Sequence, residues 1–230
     1  GRTIFDNIQR FITYILTSNM AQMIPFLLYV LFPIPLAITV IQILAIDILT
    51  NVIPAIGLGN ESSESDTMHR KPRRASQHLV THGMFMRSYG LIGPLTAVCG
   101  FITFFLVLYM HDWRWGVAVV EPYVYYMATV AFLGSVIFCQ IGNVFACRST
   151  RQSAVGLLRV RNTWITWGVL LAAFFMSAIT ALPFLFPIFH SYYLPWYCWL
   201  CFLIYPFVIF FAEELRKYAV RCGVRWLDTQ

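Results

Sequence analysis

Charge is what this chain has least of. Asp, Glu, Lys and Arg make up 11% of its 230 residues, about half the share usual in a soluble domain. With 59% hydrophobic residues and a mean hydropathy of +0.69, that scarcity argues against a water-solvated surface. The machinery of covalent chemistry is missing too. There is no glycine-rich phosphate loop, no nucleophile set beside a base and no metal-ligand cluster. Of six cysteines only the pair in "CWLC", Cys198 and Cys201, has metal-like spacing. It lacks a second pair or a nearby His group, so the cysteines read as small apolar helix residues. No basic start with a cleavage site precedes the first apolar run. The chain opens "GRTIFDNIQRF" at Gly1, which reads as the interior of a longer polypeptide, so a fragment or excised domain is expected.

What is present is apolar sequence in long runs, at 11–31, 36–58, 89–110, 123–147, 163–182 and 196–218. About 20 apolar residues cross a bilayer as a helix, and lipid forces the backbone to satisfy its own hydrogen bonds. The expected fold is all-α, a polytopic bundle of six transmembrane helices. Of the 16 Lys and Arg residues, every one but Arg114 falls before the first run, at the close of the last (Arg216 and Lys217) or after it, or in the second-to-third and fourth-to-fifth links. The positive-inside rule then places both termini in the cytoplasm. The same dispersal over several loops and a tail speaks against nucleic acid as a partner. Trp113, Trp115, Tyr192, Tyr193 and Trp196 are expected at the opposite interface, as an aromatic belt. "NES" at Asn60–Ser62 fits a glycosylation sequon but falls on the basic side, so it is expected unmodified. "RRAS" at Arg73–Ser76 has the form of a basic kinase site.

Among ten acidic residues, Asp47 lies deep in a run. A charge there costs several kcal/mol and by default marks function. Asp47, Thr50 and Asn51 are spaced i, i+3, i+4 and share one helix face, where carboxylate, hydroxyl and amide oxygens could meet one desolvated cation. Pro54 follows and frees an upstream carbonyl. The alternative is a protonated Asp47 in an interhelical hydrogen bond. Asn19 and Gln22 on the first run, and Gln140 and Asn143 on the fourth, are each spaced i, i+3. Each pair reads either as glue between helices or as part of a constellation with Asp47. Gly90, Gly93 and Gly100 read as sites of close packing.

Several stretches carry a resemblance: "GRTIFDNIQRFITYILTSN", "QILAIDILTNVIPAIGLG", "ESDTMHRKPR", "YGLIGPLTAVCGFITFF", "CRSTRQS" and "EELRK". In this order and spacing they resemble the carboxy-terminal membrane half of the P-type cation-transporting ATPases, nearest the sodium/potassium and proton/potassium pump alpha subunits. The resemblance covers essentially the whole chain and implies transmembrane helices five to ten of a ten-helix pump. It puts Asn19 and Gln22 on helix-five cation positions, Asp47, Thr50 and Asn51 on helix-six positions, and Gln140 and Asn143 on helix-eight positions. Sodium/potassium pumps generally carry carboxylates where this chain has Gln22, Asn51 and Asn143. Divalent selectivity depends on ligand charge, so a proton or one monovalent cation is expected and calcium is disfavoured.

The resemblance further implies ATP and magnesium as cofactors of the full-length pump. They would act in an N-terminal remainder holding helices one to four and the cytoplasmic domains. The phosphorylation motif "DKTGT" and the helix-four "PEG" turn are absent from this chain, so alone it should neither bind ATP nor complete the ion site. Arg2, Asp6 and Arg10 become candidates for coupling helix five to the phosphorylation domain, or form an ordinary solvated helix end. The link from His111 to Pro122 holds nothing like an accessory-subunit contact. Plasma membrane is the expected location. Other readings are a non-catalytic truncated module that assembles with or regulates a pump, and a secondary transporter or channel, for which no internal repeat is visible.

Overall fold

A computed structural model describes residues 2–62, 79–117, 121–149 and 153–222, with Leu158 and Arg159 described in backbone only. Six long helices dominate: α1 (Arg2–Leu31), α2 (Val40–Gly59), α3 (His82–Met110), α4 (Pro122–Cys147), α5 (Thr163–Ala181) and α6 (Trp196–Arg221). All are long and apolar enough to cross a bilayer. The described residues form no strand. The molecule is an all-α, polytopic membrane bundle. Arg70, Lys71, Arg73, Arg74, Ser76, Arg151 and Arg225 lie outside the described residues.

Local chemistry sets the helix starts. Thr81 Oγ1 accepts from the Met84 amide at 3.3 Å, which starts α3 seven residues ahead of the apolar run at Tyr89. Arg87, expected in a link, therefore stands inside the helix. The hydropathy pattern missed this turn because His82 and Arg87 dilute it. Asn162 Oδ1 accepts from the Ile165 amide at the start of α5. Pro122 occupies the first turn of α4, where its missing N–H is not needed.

α4 is the axis of the bundle. Its most apolar 18-residue window is 83% buried, against 28–61% for the corresponding windows of the other five long helices. A helix apolar all round belongs inside. Its small residues let neighbours approach. A Cβ on Gly142 would stand 2.2 Å from the Pro206 carbonyl oxygen of α6. Gly168 of α5 does the same for α2, since a Cβ there would meet Pro54 at 2.6 Å. Within this core a polar ladder joins three helices: Ser135 Oγ donates to Thr103 Oγ1 at 3.0 Å, and Thr103 Oγ1 lies 2.6 Å from the Tyr205 hydroxyl.

Two helices change pitch. α2 widens to a π-helical turn over Ile46–Asn51, and α3 does so over Met86–Ile92. A proline follows each, Pro54 and Pro94. Proline lacks the N–H that would bond the carbonyl four residues back, and its ring crowds that carbonyl. The wide turn accommodates both defects, and such turns recur at functional sites. Asp47 and Arg87 both sit in these wide turns.

The two ends of the bundle differ. At the end holding the start of α1 and the close of α6, Arg148 clasps Glu61 with two bonds of 2.8 and 3.0 Å. Asn162 donates to the same carboxylate and to the Gly57 carbonyl. Asn7 of α1 donates to the Gly59 and Glu61 carbonyls. The other end is aromatic. Trp113 stacks on Phe105 with centroids 5.9 Å apart, Trp115 lies 6.2 Å from Trp113, and Tyr192 packs on Tyr193.

Candidate cation-binding site

Asp47 is the hub of a polar cluster between α1 and α2. Its Oδ1 accepts from Gln22 Nε2 at 3.0 Å and from Asn51 Nδ2 at 3.3 Å. Both amides also donate to Ser18 Oγ, at 3.1 and 2.8 Å. The Tyr14 hydroxyl donates to Asn51 Oδ1 at 3.0 Å, which fixes the amide with its nitrogen toward Asp47. Thr50 donates to the Ile46 carbonyl at 2.7 Å, leaving its oxygen lone pairs available on the same turn. Ser18, Gln22, Thr50 and Asn51 are buried and Asp47 is half-buried.

Gln140 approaches from α4. It lines a small cavity of about 10 Å³ together with Tyr14, Thr50 and Asn51, close to the room one water or one bare monovalent ion needs. Gln140 Oε1 accepts from Asn143 Nδ2 at 3.0 Å, and its own Nε2 is buried without a protein partner.

The structure does not gather all seven expected residues. Asn19 is half-buried on α1 and makes no side-chain hydrogen bond among the described residues; Ser18, one position earlier, faces Asp47 instead. Asn143 belongs to a second polar compartment. Its Oδ1 accepts from Arg87 Nη2 at 2.9 Å. Arg87 also donates to Cys147 Sγ, Thr17 Oγ1 and Glu213 Oε1, at 3.2, 3.3 and 2.9 Å. Glu213 is shared with Arg216 at 2.7 Å. The Arg87 and Glu213 side chains are each 2% exposed. Consecutive residues of α1 thus face two compartments, Ser18 toward Asp47 and Thr17 toward Arg87.

Sequence reasoning missed Tyr14, Ser18, Arg87 and Glu213. A readable signal existed for two of them: Tyr14 and Ser18 precede Gln22 by eight and four residues and so share its helix face. The Arg87–Glu213 pair joins residues 126 positions apart, and no local pattern announces it.

Chemically, the first compartment offers one carboxylate from Asp47, three amides from Gln22, Asn51 and Gln140, and the hydroxyls of Tyr14, Ser18 and Thr50, a set of oxygen ligands of the kind hard cations take. The described residues hold no group of three His, Cys, Asp or Glu fit for a transition metal.

The family described as "Cation transporting ATPase, C-terminus" matches residues 35–219. The sodium/potassium-transporting ATPase subunit alpha-4 of Homo sapiens is 31% identical over 96% of the chain. The alpha-2 subunit of Rattus norvegicus is 30% identical over the same share. The chain spans 24% of the length of each of these relatives.

Proposed function

The chain belongs to the P-type cation-transporting ATPases, whose carboxy-terminal membrane region it matches, and from that premise we propose that it binds the ion for an ATP-driven pump moving a monovalent cation or a proton by alternating access. The observation that carries this reading is Asp47 in a wide turn, with one carboxylate oxygen taken by the amides of Gln22 and Asn51.

Charge balance favours a monovalent ion. One carboxylate neutralises one positive charge, whereas a divalent ion would leave a net charge stranded in a poorly solvated interior. The relatives named above carry sodium and potassium in their names, which supports the same choice. The amides now present N–H groups to Asp47. A cation at Asp47 requires Gln22 and Asn51 to turn their oxygens inward, so that donors to a carboxylate become ligands of an ion. Breaking the Tyr14–Asn51 bond is part of that turn.

The remainder of the pump supplies what this chain lacks. Met23 and Ile48, which flank the Asp47 cluster, are 58% and 62% exposed. Further helices packed on that face would close the half-open carboxylate. ATP and magnesium would act in the cytoplasmic domains of that remainder. The bonds from Asn7 to the end of α2 tie the start of α1, where Arg2, Asp6 and Arg10 lie, to the helix that bears Asp47. Movement pressed on α1 therefore reaches the site. In this reading both termini are cytoplasmic and the pump stands in the plasma membrane.

The test is vanadate-sensitive ATP hydrolysis by the complete polypeptide in isolated membranes. The expected result is hydrolysis stimulated by a monovalent cation and indifferent to calcium. No vanadate-sensitive hydrolysis under any cation would favour the second reading, a non-catalytic module that assembles with a pump. The amides at Gln22, Asn51 and Asn143 are the observation behind that alternative.

A further inference from the structure

The polar groups around Arg87 form a closed cage of acceptors for a cation. Asn143 Oδ1, Thr17 Oγ1, Glu213 Oε1 and Cys147 Sγ converge from α4, α1 and α6 within 2.9–3.3 Å of the guanidinium. The only full negative charge among them is Glu213. The guanidinium has no bulk solvent around it, being 2% exposed. Its helix has widened at this point, in the π-helical turn over Met86–Ile92, and the turn presents the side chain to the cage.

We propose that Arg87 is a tethered cation that permanently fills a second ion compartment, so that only the Asp47 compartment exchanges ions with the surroundings. This deepens the reading of the chain as a cation-transport module and rests on it. An arginine cannot be deprotonated under ordinary conditions, and its tether keeps it from leaving with a transport cycle. Asn143 thus serves the resident guanidinium instead of a passing ion. Exchange of Arg87 for a free monovalent cation would leave the compartment's net charge unchanged, since Arg216 stays on Glu213. Room for an ion and a water follows from removing the guanidinium, because a cavity of about 20 Å³ already adjoins it, lined also by Arg10, Thr13, Ser149 and Arg216. The Ser149 hydroxyl, buried and without a protein partner, is a further oxygen there.

The experiment counts radiolabelled sodium or rubidium bound per folded complete polypeptide, in detergent, at saturating cation. Arg87→Met, of similar length and no charge, is expected to bind one cation more than the unaltered protein. Arg87→Lys, which keeps a tethered charge, should match the unaltered count. A folded Arg87→Met protein with an unchanged count would overturn the proposal and leave Arg87 as an interhelical strut. If Arg87→Met does not fold, Asn143→Asp decides. It adds a carboxylate against the guanidinium and should leave the count unchanged, whereas one extra cation would show the compartment open to free ions and overturn the proposal. Loss of the transport reading is seen separately: the unaltered protein would then bind no cation that Asp47→Asn abolishes, whatever the Arg87 variants do.

Discussion

A carboxylate among apolar residues is costly enough to demand a partner, and at Asp47 the partners are amides. Tyr14 decides which way one of them points. Removing its hydroxyl in Tyr14→Phe frees Asn51 to turn its oxygen toward an ion. A neutral hydrogen bond is worth about 1 kcal/mol net, so apparent cation affinity should rise by about fivefold. Titration of cation-stimulated hydrolysis measures this; an affinity unchanged or lowered would mean that Tyr14 does not hold the amide back. Asp47, Gln22, Thr50 and Asn51 were legible in the sequence because helical periodicity puts them on facing surfaces and because each is polar where its surroundings are not. Asn19 was polar too, but helical phase turns it away and gives its place to Ser18. Glu213 and Arg87 lie near helix ends, where charge is ordinary. Only the packing of α3 against α6 shows that the two meet, with Arg216 on the same carboxylate.

The six helices were readable because a bilayer imposes length and composition together. Their irregularities were not. Pro54 and Pro94 announced a disturbance, but the wide turns that absorb it depend on what packs beside them. Those turns set the aim of Asp47 and Arg87. Pro54→Ala permits the missing backbone bond and favours an ordinary α-helical turn. Closing the turn would rotate Asp47 by about 100° relative to the residues that follow, the angle of one helical residue. The expected outcome is a protein with an equal or higher melting temperature and little transport. Full transport with normal ion affinity would show that the wide turn is incidental. The start of α3 was lost to hydropathy for a related reason: its first turn is fixed by the Thr81 cap and by burial of Arg87, neither of which raises an apolar average.

At the scale of the whole molecule, the bundle is clasped at one end and packed with aromatic rings at the other. The clasp is Glu61 with Arg148, 87 residues apart and both buried. Removing one member of a buried pair strands the other, at about 3–5 kcal/mol. Arg148→Ala should therefore lower the thermal midpoint of the detergent-solubilised protein markedly, while Arg161→Ala, at an exposed residue, should leave it nearly unchanged. Equal midpoints for the two would show that the clasp contributes little. Positive-inside counting placed Arg148 among loop charges, and the charge pattern alone does not distinguish a clasp from a solvated arginine. Fold class and the number of crossings were thus open to reading from composition. The division of the interior into an Asp47 compartment and an Arg87 compartment was not, since it arises from contacts between helices far apart in sequence.

The account turns on Asp47. The direct measurement is ATP-driven uptake of radiolabelled monovalent cation into vesicles carrying the complete polypeptide, compared with the Asp47→Asn variant at equal expression. The account predicts uptake in the unaltered protein and a fall of at least tenfold in the variant, because an amide replaces the site's one carboxylate. Unchanged uptake by Asp47→Asn would contradict it.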